Sequence, residues 1–407
     1  MRWRFYNAND SREVAEHQAT LNRIDAWWRE FATKTRELEA LFSQECQWDL
    51  PDWMLQHLSA IHPDLMWEYG PAVKCEGHRL VITPESAQHL RPLTATIIER
   101  APEIAGWEFY AYRMPGDVND ALATVEGRTG GDLTDVMVRV QRGEHHRIDV
   151  RFYTPHAKHH EDAQAMNDAF VATETLLGEE CLDKWIGVID IEPSKKKTGL
   201  LGMFRSKETK PVGLIPLERL QDTVTSVIES IRDQLASTPH CDWTKDGKWT
   251  MWELTPPEMD DYPEQSDLFV AKSPNPSAWS ASHSSGLFYS ERFTRCGETF
   301  CYVKIEGSDG LGDTEFADKA EIEDALDEVL VPSKLGVQIG GGTGQRYSYI
   351  DLALIDLERG VDTVRARLQQ GNAPKRTWIQ FFDADLVGEW IGIYDDTPPP
   401  PMDSFDE

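Results

Sequence analysis

The order of strand and helix patterns near the C-terminus constrains the fold of this chain more than any other feature. Between residues 286 and 397 the pattern runs strand, helix, strand, strand, helix, strand, and one further short strand follows. The strand segments are short and apolar, whereas the helical segments repeat apolar residues every three or four positions. This βαββαβ order is typical of a ferredoxin-like domain, which we predict for residues 286–397.

The rest of the chain also mixes helical and strand patterns. Residues 1–62 are mainly helical in periodicity, and residues 63–236 alternate hairpins with helices, which predicts a central α/β domain. Residues 237–285 are rich in acidic residues, Pro, Ser and Asn, and are interpreted as a linker with short ordered pieces. The proline run beginning at Pro398 predicts a disordered tail over residues 398–407, because proline has no backbone donor. The predicted fold class is therefore α+β.

Composition narrows the function classes. The 407 residues suggest two or three domains, and the formal net charge of -29 disfavours nucleic-acid binding and suits a protein partner with a basic surface. No apolar run is long enough to span a membrane, and the first residues lack a secretory signal, so we expect a cytoplasmic protein. The six cysteines form no CxxC motif and are interpreted as reduced thiols.

A histidine cluster is the first candidate site. Five histidines lie between His145 and His160, the later ones at the start of a predicted helix over residues 158–177. His156 and His160 are four residues apart, so a helix would place both imidazoles on one face, where they could bind a metal. No glutamate stands where a zinc-protease motif needs its general base. An exposed polar helix start explains the same residues.

A glycine-rich stretch is the second candidate site. It consists of Gly340, Gly341, Gly342, Thr343 and Gly344. The backbone amides of such a stretch can surround an anion. The phosphate loops of nucleotide-binding proteins, however, open a helix, and here a strand pattern follows. A glycine-rich β-turn explains the sequence, and a small-ligand site is the alternative.

Two charged segments also stand out. Residues 192–213 are rich in lysine and glycine with an apolar tip, which predicts an exposed loop able to contact a partner or an anionic surface. The stretch from Trp249 to Ala271 carries six acidic residues and neither lysine nor arginine. Its acidic residues lack the spacing of a calcium-binding loop.

Two parts of the chain resemble each other. A strand containing Ile148-Asp149 precedes a helix and then Trp185-Ile186-Gly187, and a strand containing Ile350-Asp351 precedes a helix and then Trp390-Ile391-Gly392. This similarity predicts a duplicated βαβ half. Chance similarity between apolar strands is the alternative.

The first half of the chain resembles a family of bacterial proteins. The segments that carry the resemblance are Ala26-Trp27-Trp28-Arg29-Glu30-Phe31, Leu65-Met66-Trp67-Glu68-Tyr69-Gly70, Leu80-Val81-Ile82-Thr83 and Ala101-Pro102-Glu103-Ile104-Ala105-Gly106-Trp107-Glu108-Phe109-Tyr110-Ala111-Tyr112-Arg113. They resemble the DUF695 group, some members of which are joined to domains resembling the ribonuclease E regulator RraB. The resemblance covers residues 20–190. Its motifs are structural, so it implies no catalytic residue and no activity.

These observations favour a non-enzymatic protein-binding or regulatory module, of the immunity or inhibitor type, that needs no cofactor. The sequence contains no GxSxG motif and no cysteine in a catalytic signature. Two alternatives stay open. One is a metal-dependent enzyme that uses the His145–His160 cluster, and the other is a small-ligand sensor that uses residues 340–344.

Overall fold

The chain forms two units, of which the second is inserted into the sequence of the first. The computed structural model describes residues 2–194, 213–243, 248–307 and 310–402. Unit 1 comprises Met1–Phe109 and Ala236–Glu407, and unit 2 comprises Tyr110–Leu235. Both units combine helices with β-sheet, which confirms the predicted α+β class.

Unit 1 begins with a helical layer on a small sheet. Its elements are α1 (Ser11–Phe42), α2 (Leu50–Ile61), β1 (Met66–Pro71), β2 (His78–Thr83), α3 (Arg91–Glu99) and β3 (Trp107–Tyr110). The carboxylate of Asp10 accepts the first amides of α1, which is why this long helix begins there. Trp27, Trp28 and Phe31 pack on α2, α3 and the sheet, so the tryptophan pair belongs to an aromatic core.

Unit 2 is a four-stranded sheet with helices. Its elements are α4 (Val118–Thr129), β4 (Met137–Arg142), β5 (Ile148–Thr154), α5 (Ala163–Leu177), α6 (Glu179–Trp185), β6 (Ile186–Pro193), β7 (Ile215–Pro216) and α7 (Leu220–Gln234). The strand order is β6-β5-β4-β7, with β5 and β6 parallel. The sequence pattern predicts a hairpin from residues 135–141 and 145–153, and β4 and β5 form it. One continuous apolar core joins the helices to this sheet.

The remainder of unit 1 is built on a seven-stranded sheet. Its elements are β8 (Thr250–Glu253), β9 (Leu268–Ser273), α8 (Pro276–Ser282), β10 (Thr299–Glu306), α9 (Lys319–Leu330), β11 (Gly336–Gly344), β12 (Tyr347–Leu354), α10 (Leu357–Gln370), β13 (Thr377–Phe381) and β14 (Trp390–Gly392). The strand order is β14-β13-β10-β12-β11-β9-β8, and every neighbouring pair is antiparallel. Valine, leucine and isoleucine side chains of β10, β12 and β13 pack on α9 and α10.

The segment predicted as a linker, residues 237–285, contributes directly to this sheet. It supplies β8, β9 and α8, so the sheet extends beyond the four strands that the βαββαβ pattern predicted. The long acidic connection between β8 and β9 contains no hairpin signal. Their pairing is therefore not visible in the local sequence pattern.

Two other predicted segments lie partly outside the described residues. Most of the lysine-rich loop, residues 195–212, and the end of the predicted disordered tail, residues 403–407, are not described. The start of that tail has a defined contact, because the indole nitrogen of Trp378 donates a hydrogen bond of 2.6 Å to the carbonyl oxygen of Pro398.

The two similar sequence segments do not occupy equivalent positions. In unit 2, β5 and β6 are parallel neighbours, and the carboxylate of Asp149 accepts the amide of Val188 at 2.9 Å. In the seven-stranded sheet, β10 and β13 separate β12 from β14. Asp351 on β12 bonds instead to the side chain of Gln265. The geometry therefore lends the predicted duplication no support.

Candidate functional site

The predicted histidine face is not formed. Asp162 caps α5 by accepting the amides of Gln164 and Ala165, so His156 and His160 precede the helix. The ring of His156 lies 3.0 Å from the carbonyl oxygen of Thr134, and that of His160 lies 3.5 Å from the carboxylate of Glu192. His145 adopts a left-handed backbone conformation in a separate turn. Within the described ranges, no group of three or more His, Cys, Asp or Glu side chains is placed to hold a metal ion.

The predicted glycine turn is wrong, because residues 340–344 form the second half of β11. This strand pairs with β12 on one side and β9 on the other. A Cβ atom at Gly342 would lie 2.4 Å from the carbonyl oxygen of Val270, so glycine permits the close approach of β9. The amides of this stretch lie within the β-sheet ladders, which leaves no loop to surround an anion.

Among the residues that the structure describes, the outer side of β8 is a free edge of the seven-stranded sheet. Met251 lies opposite Lys272 of β9, and the amide of Leu254 donates to the carbonyl oxygen of Phe269 at 2.9 Å. Because the hydrogen-bonding direction alternates along an antiparallel strand, the N–H and C=O groups of Met251 and Glu253 point away from β9. Among the described residues, no strand pairs with this side of β8.

The opposite edge of the same sheet is covered. The carboxylate of Glu389, next to β14, accepts the amides of Trp3, Arg4 and Phe5 at 2.6, 2.9 and 2.9 Å. The guanidinium of Arg2 donates to the carbonyl oxygen of Trp390 at 2.8 Å and lies 3.5 Å from the centre of its ring. The N-terminal segment thus covers β14, whereas the described residues leave the outer side of β8 open.

Apolar and acidic side chains are exposed together around this free edge. We call this group the β8 surface, and its members are Trp249, Met251, Glu253, Leu254, Glu258, Met259, Asp260 and Phe269. The side chain of Met251 is 70% exposed, and that of Phe269 on the neighbouring strand is 44% exposed. Large apolar residues exposed as a group are typical of binding sites.

The charged members of the β8 surface are all acidic, and one exposed cation, Lys248, directly precedes Trp249. No lysine or arginine occurs from Trp249 to Ala271. Lys272 is the cation closest in sequence on the strand beside β8, and its ammonium is 3.0 Å from the carboxylate of Glu323 on α9. It also lies 5.4 Å from the ring centre of Trp249. The surface therefore presents carboxylates that a basic partner can pair with.

The connection that follows β8 is anchored at its far end. Tyr262 is buried, and its carbonyl oxygen accepts a hydrogen bond from the ammonium of Lys304 on β10. That ammonium lies 4.2 Å from the ring centre of Tyr347. Burial lowers the pKa of Lys304 to about 8, although the charges of Asp267 and Asp261 act in the opposite direction. Lys304 thus holds the connection against the sheet.

Buried carboxylates hold the rest of the connection. Asp267 accepts the amides of Arg346 and Tyr347 at 2.8 and 2.9 Å, together with the hydroxyl of Tyr349. The side-chain amide of Gln265 donates to Asp351 at 3.1 Å, and burial raises the pKa of Asp351 to about 7. The first half of the connection is exposed, while buried hydrogen bonds attach the second half to the sheet.

A wide cleft elsewhere in unit 1 offers no comparable site. Its volume is about 610 Å³, and its lining includes Arg346, Lys375 and Glu306. Arg346 is 2.7 Å from the carboxylate of Glu306, and Lys375 is paired with Asp396. Both cations are thus compensated by carboxylates, which makes the cleft a poor binding site for anions.

Comparison with known proteins does not assign the chain. No protein-family model matches it, and neither a curated protein nor a solved structure matches it significantly. No helix among the described residues is both long and apolar enough to cross a membrane. The candidate site consequently rests on geometry alone.

Sequence patterns indicated only part of the β8 surface. The sequence shows that residues 249–271 are acidic and contain no lysine or arginine. The linker prediction, however, does not include strand β8, which lies in this stretch. The exposed edge depends on the order of strands in the sheet, and that order results from contacts between distant residues. No local signal distinguishes an edge strand of four residues from an irregular connection.

Proposed function

We propose that this protein is a non-enzymatic binding module that uses the β8 surface to bind a protein partner with a basic surface. The observation that carries the proposal is the outer side of β8, with which no described strand pairs and around which exposed apolar and acidic side chains occur together. An inhibitor or immunity-type role is the form of binding that suits such a surface.

Electrostatics supports a basic partner. The net charge of -29 attracts a positively charged protein over about a Debye length, which is roughly 8 Å at physiological salt. At contact, lysine or arginine side chains would pair with Glu253, Glu258 and Asp260, while their apolar stems pack over Met251 and Leu254. The charges would chiefly accelerate association, and the apolar contacts would slow dissociation.

Three further assignments belong to the proposal. The strand order β13-β10-β12-β11, with α9 and α10 on one face, supports a ferredoxin-like core in the C-terminal part of unit 1. Six cysteines that form no disulfide support a cytoplasmic location. Kinship with the DUF695 group over residues 20–190 is proposed on the quoted segments, and it adds no activity.

The test compares two charge-reversal variants of the full chain. One variant changes Glu253, Glu258 and Asp260 to lysine. Its control makes the same charge change at exposed acidic residues of α1 and the loop after it, through Glu16→Lys, Glu39→Lys and Glu45→Lys. Each protein is immobilised, proteins from a cell extract are captured at low salt, and the retained proteins are quantified by mass spectrometry.

The proposal predicts a specific basic protein that the wild type and the control variant retain and the β8 variant loses. Raising the salt concentration should weaken this capture, because exposed ion pairs are screened. Equal retention by both variants, or equal loss from both, would show that the β8 surface is not the binding site. Matching melting temperatures would exclude unfolding as the cause of a loss.

A further inference from the structure

We propose that the partner binds β8 through its backbone, as an extended segment that adds an eighth, antiparallel strand to the seven-stranded sheet. This inference rests on the proposed function and specifies the partner as a flexible segment with alternating basic and apolar residues. It distinguishes strand addition from the docking of a folded basic surface, which would use the side chains of the β8 surface alone.

The outer side of β8 presents backbone groups that such a strand can bind. The N–H and C=O groups of Met251 and Glu253 point to the open side, which provides two donors and two acceptors. An extended peptide that pairs with an exposed edge satisfies groups of this kind and gains affinity from the main chain. The pairing of β8 with β9 runs in regular register, so no bulge turns the edge away.

Within β8 itself, and among the described residues that could cover it, the usual protections of an edge strand are missing. Edge strands are commonly protected by lysine, proline, a bulge or a covering segment. Its outward-pointing backbone positions carry Met251 and Glu253, and Pro256 and Pro257 follow only after the strand has ended. At the opposite edge of the same sheet, the N-terminal segment of the chain covers β14 and so protects that edge.

The side chains of β8 define the pattern of the incoming strand. Met251 and Glu253 lie on one face of the sheet, while Trp252 and Leu254 lie on the other with Phe269. The ring of Trp252 is stacked on that of Trp279, with 3.8 Å between the ring centres, so Trp252 contributes an aromatic contact to this face. A lysine or arginine at every second position can therefore pair with Glu253, while the intervening apolar residues pack on Trp252 and Leu254.

A second copy of this chain is a poorer occupant than a basic segment. Antiparallel pairing of two β8 strands would bring two sets of carboxylates, from Glu253, Glu258 and Asp260, to one interface. Like charges that close to each other disfavour association. Charge complementarity thus selects a segment that contributes the missing cations.

The experiment uses a defined peptide of alternating lysine and valine, labelled with a fluorophore, and the full-length protein. Binding is measured by fluorescence anisotropy at physiological salt. Two further peptides carry N-methyl groups on every second amide, one peptide on the odd-numbered amides and the other on the even-numbered amides. An N-methyl group removes a donor and blocks pairing on the side to which that amide points. Only one of the two sets of amides faces β8, so only the peptide methylated on that set should bind more weakly, by at least tenfold.

Two substitutions at one position provide the matching test on the protein. Met251→Pro removes an outward N–H and leaves the ladder with β9 intact, since proline is tolerated on the open side of an edge strand. Met251→Ala removes the side chain and keeps the N–H. We expect affinity for the unmodified peptide to be at least tenfold lower for Met251→Pro than for Met251→Ala, with equal melting temperatures.

The outcomes separate this inference from the proposed function. Equal binding of all three peptides, together with loss of binding by the Glu253, Glu258 and Asp260 charge-reversal variant, would refute strand addition and leave the proposed function standing. Binding that the charge reversal does not change would count against the proposed function itself. A dimer that sedimentation detects and Met251→Pro dissociates would replace the basic segment by a second copy and overturn the inference. If Met251→Pro unfolds the protein, the N-methylated peptides decide alone.

Discussion

The carboxylate of Asp267 is a strong test of how the β8–β9 connection is held. One of its oxygens, Oδ2, accepts the amides of both Arg346 and Tyr347, and the other, Oδ1, accepts the hydroxyl of Tyr349. The side chain is fully buried, so water does not replace these bonds in the folded protein. Asp267→Ala removes all three acceptor contacts, whereas Asp267→Asn keeps the shape of the side chain.

The two substitutions should lower the free energy of unfolding by different amounts. Hydrogen bonds to charged groups contribute about 1.5–3 kcal/mol each, and non-additivity places the loss of three near the lower end of their sum. We therefore expect Asp267→Ala to reduce the free energy of unfolding by about 4 kcal/mol. In Asp267→Asn the remaining oxygen can accept both amides, and the hydroxyl of Tyr349 can rotate to accept from the new NH₂ group. The expected loss is then about 1.5 kcal/mol.

Urea unfolding monitored by tryptophan fluorescence measures both values. Because the two units need not unfold together, the curves are fitted with two transitions, and the transition that changes is assigned to unit 1. Asp260→Ala is the control, since Asp260 is exposed on the same connection and should change stability by less than about 0.5 kcal/mol. Equal losses for the alanine and asparagine variants of Asp267, or a loss below about 1 kcal/mol for alanine, would refute the hydrogen-bond argument.

Two other predictions concern a titrating carboxyl and a pair of glycines. Burial raises the pKa of Asp351 to about 7, so its stabilising protonation is complete below the unfolded pKa and is lost as the pH rises through 7. Urea unfolding should show that lowering the pH from 8 to 6 stabilises the wild type by about 1.3 kcal/mol more than Asp351→Asn, and identical pH dependences would contradict this. Calorimetry should show that Gly127→Ala, exposed on α4 with no atom near the added methyl, stabilises by about 0.5–1 kcal/mol. Gly342→Ala should instead destabilise by more than about 2 kcal/mol, because its Cβ would lie 2.4 Å from the Val270 carbonyl oxygen, and shifts of the same sign would contradict the packing argument.

Local patterns predicted the elements whose signal is contained within the element itself. The sequence pattern predicts strands over residues 299–306 and 347–355 and a helix over residues 318–330, and the structure has β10, β12 and α9 within a residue of these bounds. The hairpins β1–β2 and β4–β5 were also visible, because a short polar turn joins their strands. In these places local preference and tertiary packing favour the same conformation.

Predictions that depended on a capping residue or on distant partners were less successful. Because Asp162 caps α5, the helix begins after His160. The two histidines that a longer helix would have placed on one face therefore lie outside it. The glycines of β11 are explained by the approach of β9, a strand far away in sequence. The free edge at β8 has the same origin, since strand order is set by contacts that a local window does not contain.

The insertion of unit 2 has a consequence for how the chain is made. The backbone amides of Trp3, Arg4 and Phe5 bind the carboxylate of Glu389, and unit 2 occupies a single continuous stretch between these partners. At a synthesis rate of about 5–20 residues per second, the N-terminal segment waits roughly 15–60 s after unit 2 begins to emerge before Glu389 is added. Unit 2 can thus fold on the ribosome first, and the sheet of unit 1 closes only after Glu389 has been added.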